Sequence, residues 1–360
     1  MKGRFVHVFL ASLFLLAVVS APLLAGLSAN TRFNVQILPD VPGQRTDLNS
    51  RVAAINSAGR IVGDAYVSEA GGAFDHAIYY DGVAMQDVGA AFFPGRTSRA
   101  GDMNNLGDMV LWAVNYNICY LYHPGQQPTL ITASGLPWDQ YPAVNCINDS
   151  GAMAGCYYYY GLYGWPIGLL GPGYDINNAG VVVGTTTNMA YSDAFVGDQN
   201  IAGLVEGPYR EGSAALKINE SGQVVGYSWD ALDGTHTTGW LYDMNTGTAT
   251  FLSFTPSGIN NAGTMIGSSL GGLPYGCIAD SNGAYLMHDL INLPTGVEDL
   301  YNMTAQAIND SMQVAGSCYY YVDGIGRWGA YLATPVPEPS CLLALGSGLL
   351  ALCGVIGRRK

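Results

Sequence analysis

Charged residues are scarce in this sequence: Asp, Glu, Lys and Arg together make up 11% of 360 residues, about half the usual share. Lysine is nearly absent away from the two ends of the chain, where Lys217 is the only one. From Arg32 to Pro335 there are 9 basic and 26 acidic residues, a net charge of −17. Such a surface repels phosphate backbones and anionic head groups, which excludes nucleic acid as a partner.

Histidine is also rare, and the few histidines show no pattern. His76, His123, His236 and His288 lie at unrelated points of the chain, and no two of them have the spacing of metal ligands. The sequence therefore predicts no metal site and no cofactor.

Glycine, tyrosine and apolar residues are abundant instead. The chain has 48 glycines, 24 tyrosines and 49% hydrophobic residues, which excludes a disordered polymer. No stretch between the two ends has helical periodicity, whereas short apolar runs alternate with glycine-rich turns. This composition predicts an all-β protein.

Residues 1–29 have the organisation of a secretory signal peptide. Two basic residues come first, followed by an apolar run over residues 5–19 and by small residues up to Ala29. We expect cleavage after Ala29, with Ala25 as an alternative site. A retained membrane anchor is the other interpretation of this segment.

The last 25 residues contain three parts in a fixed order. The parts are Val336-Pro337-Glu338-Pro339-Ser340, the apolar residues 341–357 and the basic tip Arg358-Arg359-Lys360. As a helix, the apolar part would be about 25 Å long, slightly short of a hydrocarbon core of about 30 Å. We expect a transmembrane helix over residues 341–357 with its basic tip in the cytoplasm, which places the preceding chain outside the inner membrane.

This C-terminal arrangement resembles the PEP-CTERM sorting signal of Gram-negative bacteria. The resemblance implies an exported precursor held transiently in the inner membrane and cleaved near residues 337–339 by an exosortase. It further implies delivery to the cell surface or to the surrounding exopolysaccharide of a biofilm. An ordinary membrane helix at the end of the chain is the alternative.

One sequence unit recurs seven times between residues 30 and 335. It consists of an apolar residue, Asn, two turn residues, Gly, any residue, two apolar residues and usually Gly. Asn can form an Asx turn and Gly supplies the positive φ that closes a hairpin, so each unit predicts two paired strands. The hairpin residues are Asn56 and Gly59, Asn104 and Gly107, Asn148 and Gly151, Asn177 and Gly180, Asn219 and Gly222, Asn260 and Gly263, and Asn309 with Met312 in place of glycine.

Successive units begin 29 to 49 residues apart, about 42 on average, which is the length of a propeller blade. A third strand follows each hairpin, as in residues 76–80, and a fourth follows a turn, as in residues 85–89 and 285–290. Residues 30–335 are therefore predicted to form a seven-bladed β-propeller of short four-stranded units, with an open β-solenoid as the alternative. The unit that begins at Ile147 is only 29 residues long, so we expect a truncated blade there.

A strand over residues 33–38 precedes the first unit and has no partner of its own. The seventh unit ends near residues 330–332 without a fourth strand. We expect these two segments to pair and to close the ring, because an open ring would expose two blade edges.

The Ile/Val-Asn-x-x-Gly-x-Val-Val-Gly core, followed by His-Ala or Asp-Ala-Phe, resembles the bacterial extracellular repeats called the HAF family. Here the core at 177–184 is followed by Asp193-Ala194-Phe195, and His76 is the only copy of the histidine. The resemblance implies an extracellular location and a repeat architecture, without a reaction.

The acidic residues Asp149, Glu220 and Asp310 each follow a hairpin asparagine, where they are most simply turn formers. Paired acids for polysaccharide cleavage would have to converge in the central channel. The sequence therefore favours a non-enzymatic structural or binding component of an extracellular polysaccharide matrix. The alternative is a secreted glycosidase or lyase with acidic residues in the channel.

Two runs of tyrosine and one pair of cysteines are further candidate functional residues. The runs Tyr157–Tyr160 and Tyr319–Tyr321 follow equivalent hairpins, and their rings either fill space between blades or present aromatic surface to sugars. Cys146 and Cys156 flank the third hairpin and are a candidate disulfide, although the hairpin register places Cys156 nearer residue 143.

Overall fold

The structure is a computed structural model. It describes residues 27–113, 118–132, 141–159, 162–164, 172–186, 192–206, 212–229, 237–269 and 275–337. Over this part of the chain, the strands form seven sheets, six of four or more strands and one of three. Each sheet packs against the next and the last packs against the first, so the protein is a β-propeller. The all-β propeller expectation is confirmed.

The first strand, β1 (Phe33–Ile37), belongs to the last blade. Blade 1 consists of β2 (Arg51–Ile55), β3 (Ile61–Glu69), β4 (Gly72–Tyr80) and β5 (Met85–Asp87), followed by helix α1 (Val88–Phe92). Blade 2 consists of β6 (Ser98–Met103), β7 (Met109–Ala113), β8 (Ile118–Tyr122) and β9 (Thr129–Leu130). Blade 3 consists of β10 (Tyr141–Ile147), β11 (Met153–Tyr159) and β12 (Leu162–Gly164).

Blade 4 consists of β13 (Gly173–Ile176), β14 (Val182–Thr185), β15 (Ala194–Val196) and β16 (Gln199–Asn200), followed by α2 (Ala202–Val205). Blade 5 consists of β17 (Gly212–Ile218), β18 (Gln223–Trp229), β19 (Thr237–Asp243) and β20 (Thr248–Leu252). Blade 6 consists of β21 (Phe254–Ile259), β22 (Met265–Ser269), β23 (Gly276–Asp280) and β24 (Gly283–Leu286), followed by α3 (Met287–Leu290). Blade 7 consists of β25 (Ile291–Asn292), β26 (Asp299–Tyr301), β27 (Ala307–Ile308), β28 (Val314–Val322), β29 (Ile325–Pro335) and β1.

The ring closes as expected, through β1. This strand pairs antiparallel with β29 from Phe33 opposite Pro335 to Ile37 opposite Tyr331, and the Leu38 amide donates to the Ala330 carbonyl at 2.9 Å. At the inner edge, Nδ2 of Asn309 donates to the carbonyl of Asn56 at 2.9 Å, which joins blade 7 to blade 1. The open β-solenoid is therefore wrong.

Two of the expected fourth strands are shorter than predicted. The segments at 85–89 and 285–290 start as strands but turn into α1 at Val88 and α3 at Met287. In blade 1 the cause is local, because the Asp87 carboxylate accepts the Ala90 amide at 2.7 Å and caps the helix.

The inner strand of six blades carries a β-bulge at the same place. In β17, Ala215 pairs with Gly226 and Lys217 pairs with Val225, so Leu216 is the extra residue. A Cβ at Gly226 would lie 2.1 Å from the Ala214 carbonyl oxygen, which explains the glycine that ends the repeat core. The equivalent glycines, each with a Cβ position about as close to a carbonyl oxygen, are Gly63, Gly155, Gly184, Gly267 and Gly316.

The core lies between neighbouring blades. Trp240 of blade 5 is fully buried against Val183 and Val196 of blade 4, and its Nε1 donates to the Ser228 hydroxyl at 3.1 Å. Stacking of blades therefore buries the apolar faces that no single blade could cover. No helix of the described residues is long and apolar enough to cross a membrane, and residues 341–357 lie outside that part of the chain.

Candidate functional site

The hairpin asparagines line the central channel and have two roles. Oδ1 of Asn260 accepts the amides of Ala262 at 3.1 Å and Thr264 at 2.9 Å, which is the Asx turn, while Nδ2 donates to the carbonyl of Asn309 in the next blade at 3.2 Å. We call Asn56, Asn104, Asn148, Asn177, Asn219, Asn260 and Asn309 the asparagine ring.

The same link from Nδ2 to the next blade starts from Asn104, Asn148, Asn219 and Asn309. Nδ2 of Asn56 is buried and has no hydrogen-bond partner, so this link is missing between blade 1 and blade 2. The asparagines therefore hold blades together as well as forming turns, and this second role was not predicted.

The residues that directly follow the ring asparagines form a second circle of side chains, which we call the belt. The amide of Asn105 donates to the Asp149 carboxylate at 2.8 Å, and the amide of Asp149 donates to Oδ1 of Asn178 at 2.9 Å. From blade 2 onward, amide and acidic side chains alternate, which keeps the carboxylates from being neighbours. The belt consists of Ser57, Asn105, Asp149, Asn178, Glu220, Asn261 and Asp310, and six of its successive pairs are hydrogen-bonded.

The belt acids are occupied by these bonds. Burial would raise the pKa of Asp149, but hydrogen bonds from Asn105 and Asn178 outweigh it and hold the pKa below its ordinary value. The Asp310 carboxylate accepts both the amide and Nδ2 of Asn261, each at 2.8 Å. These carboxylate acceptors strengthen the contacts between blades at the channel mouth.

Deeper in the channel, the residue two before each hairpin asparagine defines a further position. In three consecutive blades this residue is small: Gly258, Ala307 and Ala54. In the other four blades it is ionisable: Asp102, Cys146, Asp175 and Lys217. Asp102, Asp175 and Lys217 line a central cavity of about 190 Å³. We call Asp102, Cys146, Asp175 and Lys217 the channel cluster.

Both carboxylates of the channel cluster connect adjacent blades. Oδ2 of Asp102 accepts the Ile147 amide at 3.0 Å, and Oδ2 of Asp175 accepts the Ile218 amide at 2.9 Å. Oδ1 of Asp175 also lies 3.3 Å from Nζ of Lys217. About a third of the Lys217 side chain is exposed, and this part faces the cavity.

The protonation states of the channel cluster follow from burial and mutual attraction. Burial raises the pKa of Asp102 from 3.8 to about 6; Lys217 opposes this shift and Asp175 adds to it. Burial would lower the pKa of Lys217, but Asp175 and Asp102 outweigh it and raise the pKa above its ordinary value. Burial also raises the pKa of the Cys146 thiol, and the two carboxylates add to this shift.

At neutral pH the cluster therefore contains the Lys217 ammonium, which lines the cavity, and the protonated Cys146 thiol, which is fully buried. An ammonium is neither a nucleophile nor a base, and a thiol with a raised pKa has little of the reactive thiolate. Among the described residues, no group of three His, Cys, Asp or Glu side chains is arranged to hold a metal ion.

His76 is a buried structural residue of blade 1. Its ring is fully inaccessible, and Nδ1 lies 2.9 Å from Oδ2 of Asp87, the residue that caps α1. His123 is paired with Asp108 at 2.9 Å near the second hairpin. The two histidines lie in different blades, and His236 lies outside the described residues.

The candidate disulfide between Cys146 and Cys156 is not formed. Cys146 pairs with Ala154 and Cys156 pairs with Ala143, so the two cysteines are offset along the ladder by a bulge and two residues. All five cysteines of the described residues, Cys119, Cys146, Cys156, Cys277 and Cys318, are buried free thiols.

Two strings match enzyme motifs in letters but not in structural context. Gly267-Ser268-Ser269-Leu270-Gly271 has the Gly-x-Ser-x-Gly pattern, yet its serines lie in the ladder of β22, opposite β21. Gly324-Ile325-Gly326-Arg327-Trp328-Gly329 has the Gly-x-Gly-x-x-Gly pattern, yet it lies in the hairpin of β28 and β29. Nucleophile elbows and phosphate loops require a strand that turns into a helix, so neither string supports catalysis.

The sorting segment is only partly described. Val336 and Pro337 follow β29 directly, and the Val336 amide donates to the Arg32 carbonyl at 2.8 Å. Glu338, Pro339, Ser340 and the tip Arg358-Arg359-Lys360 lie outside the described residues, as do the side chains of Tyr157–Tyr160.

No protein-family model and no curated protein sequence matches the chain. Several solved structures are similar over most of their length. A protein of unknown function from Dyadobacter fermentans is 12% identical, with 86% of this chain and 100% of that chain covered and a TM-score of 0.38. A streptogramin B lyase is 9% identical, with 86% and 100% covered and a TM-score of 0.44.

An α-L-arabinofuranosidase catalytic domain from Coprinopsis cinerea is also similar. It is 10% identical, with 86% of this chain and 98% of that chain covered and a TM-score of 0.30. At these identities and scores the similarities carry no argument about activity, and the function has to be argued from the residues of this chain.

Proposed function

We propose that the protein is an exported, surface-sorted and non-enzymatic β-propeller that acts as a structural or binding component of an extracellular polysaccharide matrix. An exosortase would process the precursor at the inner membrane of a Gram-negative bacterium. The exopolysaccharide would be the partner of the mature protein.

The hydrogen bonds and the ion pair of the channel cluster carry the non-enzymatic part of this proposal. The channel is where a propeller of this kind would bring acidic residues together, and here its groups are bonded to one another and to the next blade. Lys217 pairs with Asp175, while Asp102 and Asp175 each accept a backbone amide. Groups engaged in this way connect neighbouring blades and have little capacity for reaction with a substrate.

Contacts near the C-terminal end of the described residues support the proposed sorting of the protein. Val336 follows the last strand directly, and its amide donates to the Arg32 carbonyl at 2.8 Å, so the proposed segment Val336-Pro337-Glu338-Pro339-Ser340 begins at the end of β29. Glu338 lies between two prolines, which favour an extended backbone that a protease can bind. Val336, the first residue of this segment, is hydrogen-bonded to the folded body, so we expect cleavage beyond it, near residues 337–339.

Fractionation of the native cells tests this proposal. Protein recovered from the matrix should lack the apolar tail by mass spectrometry, and replacing Pro337-Glu338-Pro339 with alanines should leave full-length protein in the inner membrane. A matched variant with Pro294 replaced by alanine, in an exposed loop of blade 7, should be sorted normally. Recovery of matrix protein that still ends at Lys360 would contradict the proposal.

One observation favours a second function, a polysaccharide-cleaving enzyme. The pKa of Asp102 is raised to about 6 in a cavity that Asp175 also lines, and shifted carboxyls of this kind are frequent in active sites. Incubation with soluble polysaccharides distinguishes the two functions. Release of reducing ends or of unsaturated sugars by the wild type, lost in Asp102→Asn, would establish the enzyme.

A further inference from the structure

The outer end of blade 7 brings several aromatic side chains to one face of its sheet. Tyr319 and Tyr321 alternate with Tyr320 in β28 and therefore point to the same side. Tyr319 pairs with Tyr301 on β26 and with Trp328 on β29, while Tyr321 pairs with Asp299 and Gly326. Because directly paired residues point the same way, these residues form two adjacent rows across three strands.

We call Asp299, Tyr301, Tyr319, Tyr321 and Trp328 the blade 7 patch. The ring centres of Tyr319 and Trp328 are 5.4 Å apart, those of Tyr319 and Tyr321 are 5.4 Å apart, and those of Tyr301 and Tyr321 are 6.0 Å apart. The rings thus form one continuous cluster. Glycine at position 326 leaves the space that the Tyr319 ring occupies, because a Cβ there would lie 2.0 Å from the Tyr319 hydroxyl.

The two faces of the same strand differ sharply. Tyr320, between the two patch tyrosines, is 7% exposed and packs into the core with Leu300. Tyr301 is 47% exposed, and the other members of the blade 7 patch are half-buried. Space filling between blades therefore explains Tyr320 but not the patch, where aromatic surface is left accessible to a partner.

The polar groups around the patch narrow the chemistry of that partner. The Tyr301 hydroxyl bonds to the Asp299 carboxylate and lowers its pKa, and the Leu300 amide also donates to Oδ1 of Asp299 at 2.8 Å. Glu298 and Asp323 are exposed nearby. These carboxylates repel an anionic polymer, whereas they accept hydrogen bonds from the hydroxyls of a neutral sugar.

Shape points to a polymer. A row of side chains across three strands is about 10 Å long, because neighbouring strands lie about 4.8 Å apart. The patch lies on the face of a sheet and not in a cleft. Sugar rings present C–H groups that pack against the negative faces of aromatic rings. We propose that the blade 7 patch binds the side of a neutral polysaccharide chain, an inference that rests on the proposed function.

Affinity electrophoresis of the purified full-length protein tests this inference. The probes are the neutral polysaccharides dextran, hydroxyethyl cellulose and galactomannan, and anionic alginate, each cast into a native gel. The wild type should be retarded by at least one neutral polymer and not by alginate. Tyr301→Ala and Trp328→Ala should each weaken this retardation by roughly fivefold or more, the usual effect of truncating an important aromatic contact.

Phe251→Ala is the matched control, because it removes an aromatic ring that is 53% exposed on β20 of blade 5. It should leave retardation unchanged, and unfolding curves should show that all three variants are folded. Equal retardation of the wild type and both patch variants would overturn the inference that the blade 7 patch binds polysaccharide, while leaving the proposed function intact. Retardation by alginate alone would also overturn it. Failure of the wild type to be retarded by any of the three neutral polymers would overturn this inference as well, whereas the proposed function is tested separately by cell fractionation.

Discussion

Two alanine substitutions in the asparagine ring separate its role within a turn from its role between blades. Asn260→Ala and Asn56→Ala both remove an Oδ1 that accepts two turn amides, so this loss is the same in the two variants. Only Asn260 also donates Nδ2 to the next blade, at 3.2 Å from the Asn309 carbonyl, whereas Nδ2 of Asn56 has no partner.

The expected difference in free energy of unfolding is about 1–2 kcal/mol, with Asn260→Ala the less stable variant. Roughly 1 kcal/mol is the net value of one hydrogen bond. The Asn309 carbonyl loses this donor but still accepts the Met312 amide at 3.0 Å, so no further cost of an unpaired carbonyl is expected. Asn56→Ala additionally removes a buried donor without a partner, which widens the difference.

Urea unfolding followed by both tryptophan fluorescence and circular dichroism measures the difference, and coincidence of the two curves would justify a two-state treatment. The melting temperatures should differ by a few degrees in the same direction. Equal destabilisation of the two variants would refute the inter-blade role and leave the asparagines as turn formers only.

Three further predictions follow from the ring and its channel. Deletion of residues 30–40 removes β1 and should lower the melting temperature of the whole body in one cooperative transition; loss of a small independent segment alone would contradict closure by this strand. Because the pKa of Asp102 rises from 3.8 to about 6 on folding, the folded state binds more protons between these pH values, so this group lowers stability by about 2 kcal/mol as pH rises from 4 to 7. Asp102→Asn should flatten this part of the stability profile, and an unchanged slope would contradict the argument. Gly226→Ala places a Cβ against the Ala214 carbonyl and should cost at least about 2 kcal/mol in urea unfolding, whereas Gly71→Ala, where the Cβ meets open space, should cost less.

The hairpins could be predicted from sequence because their chemistry is local. Asn56 and Gly59 are three residues apart, and a turn of this kind is determined by those residues alone. The pairing of β1 with β29 was also predictable, because a strand without a partner and a blade without a fourth strand complete each other. The truncated third blade followed from the short spacing after Ile147, and its sheet has three strands in the described residues.

The links between blades could not be predicted in the same way. Nδ2 of Asn260 meets Asn309 only because the ring brings two hairpins together that are 49 residues apart in sequence. The channel cluster did leave a signal, since aligning the units on their asparagines places Asp102, Asp175 and Lys217 at one position. The helices α1 and α3 were missed because single turns of helix are too short to show periodicity.

Closure by β1 has a consequence for the order in which the protein folds. The partner of β1 is β29, whose residues 325–335 are the last of the body to be synthesised. Until they emerge, β1 has an unpaired edge and the first and last blades cannot associate, so the chain spends its synthesis with apolar strand edges exposed. Loss of only the last ten residues of the body would leave six blades fully encoded and the ring open.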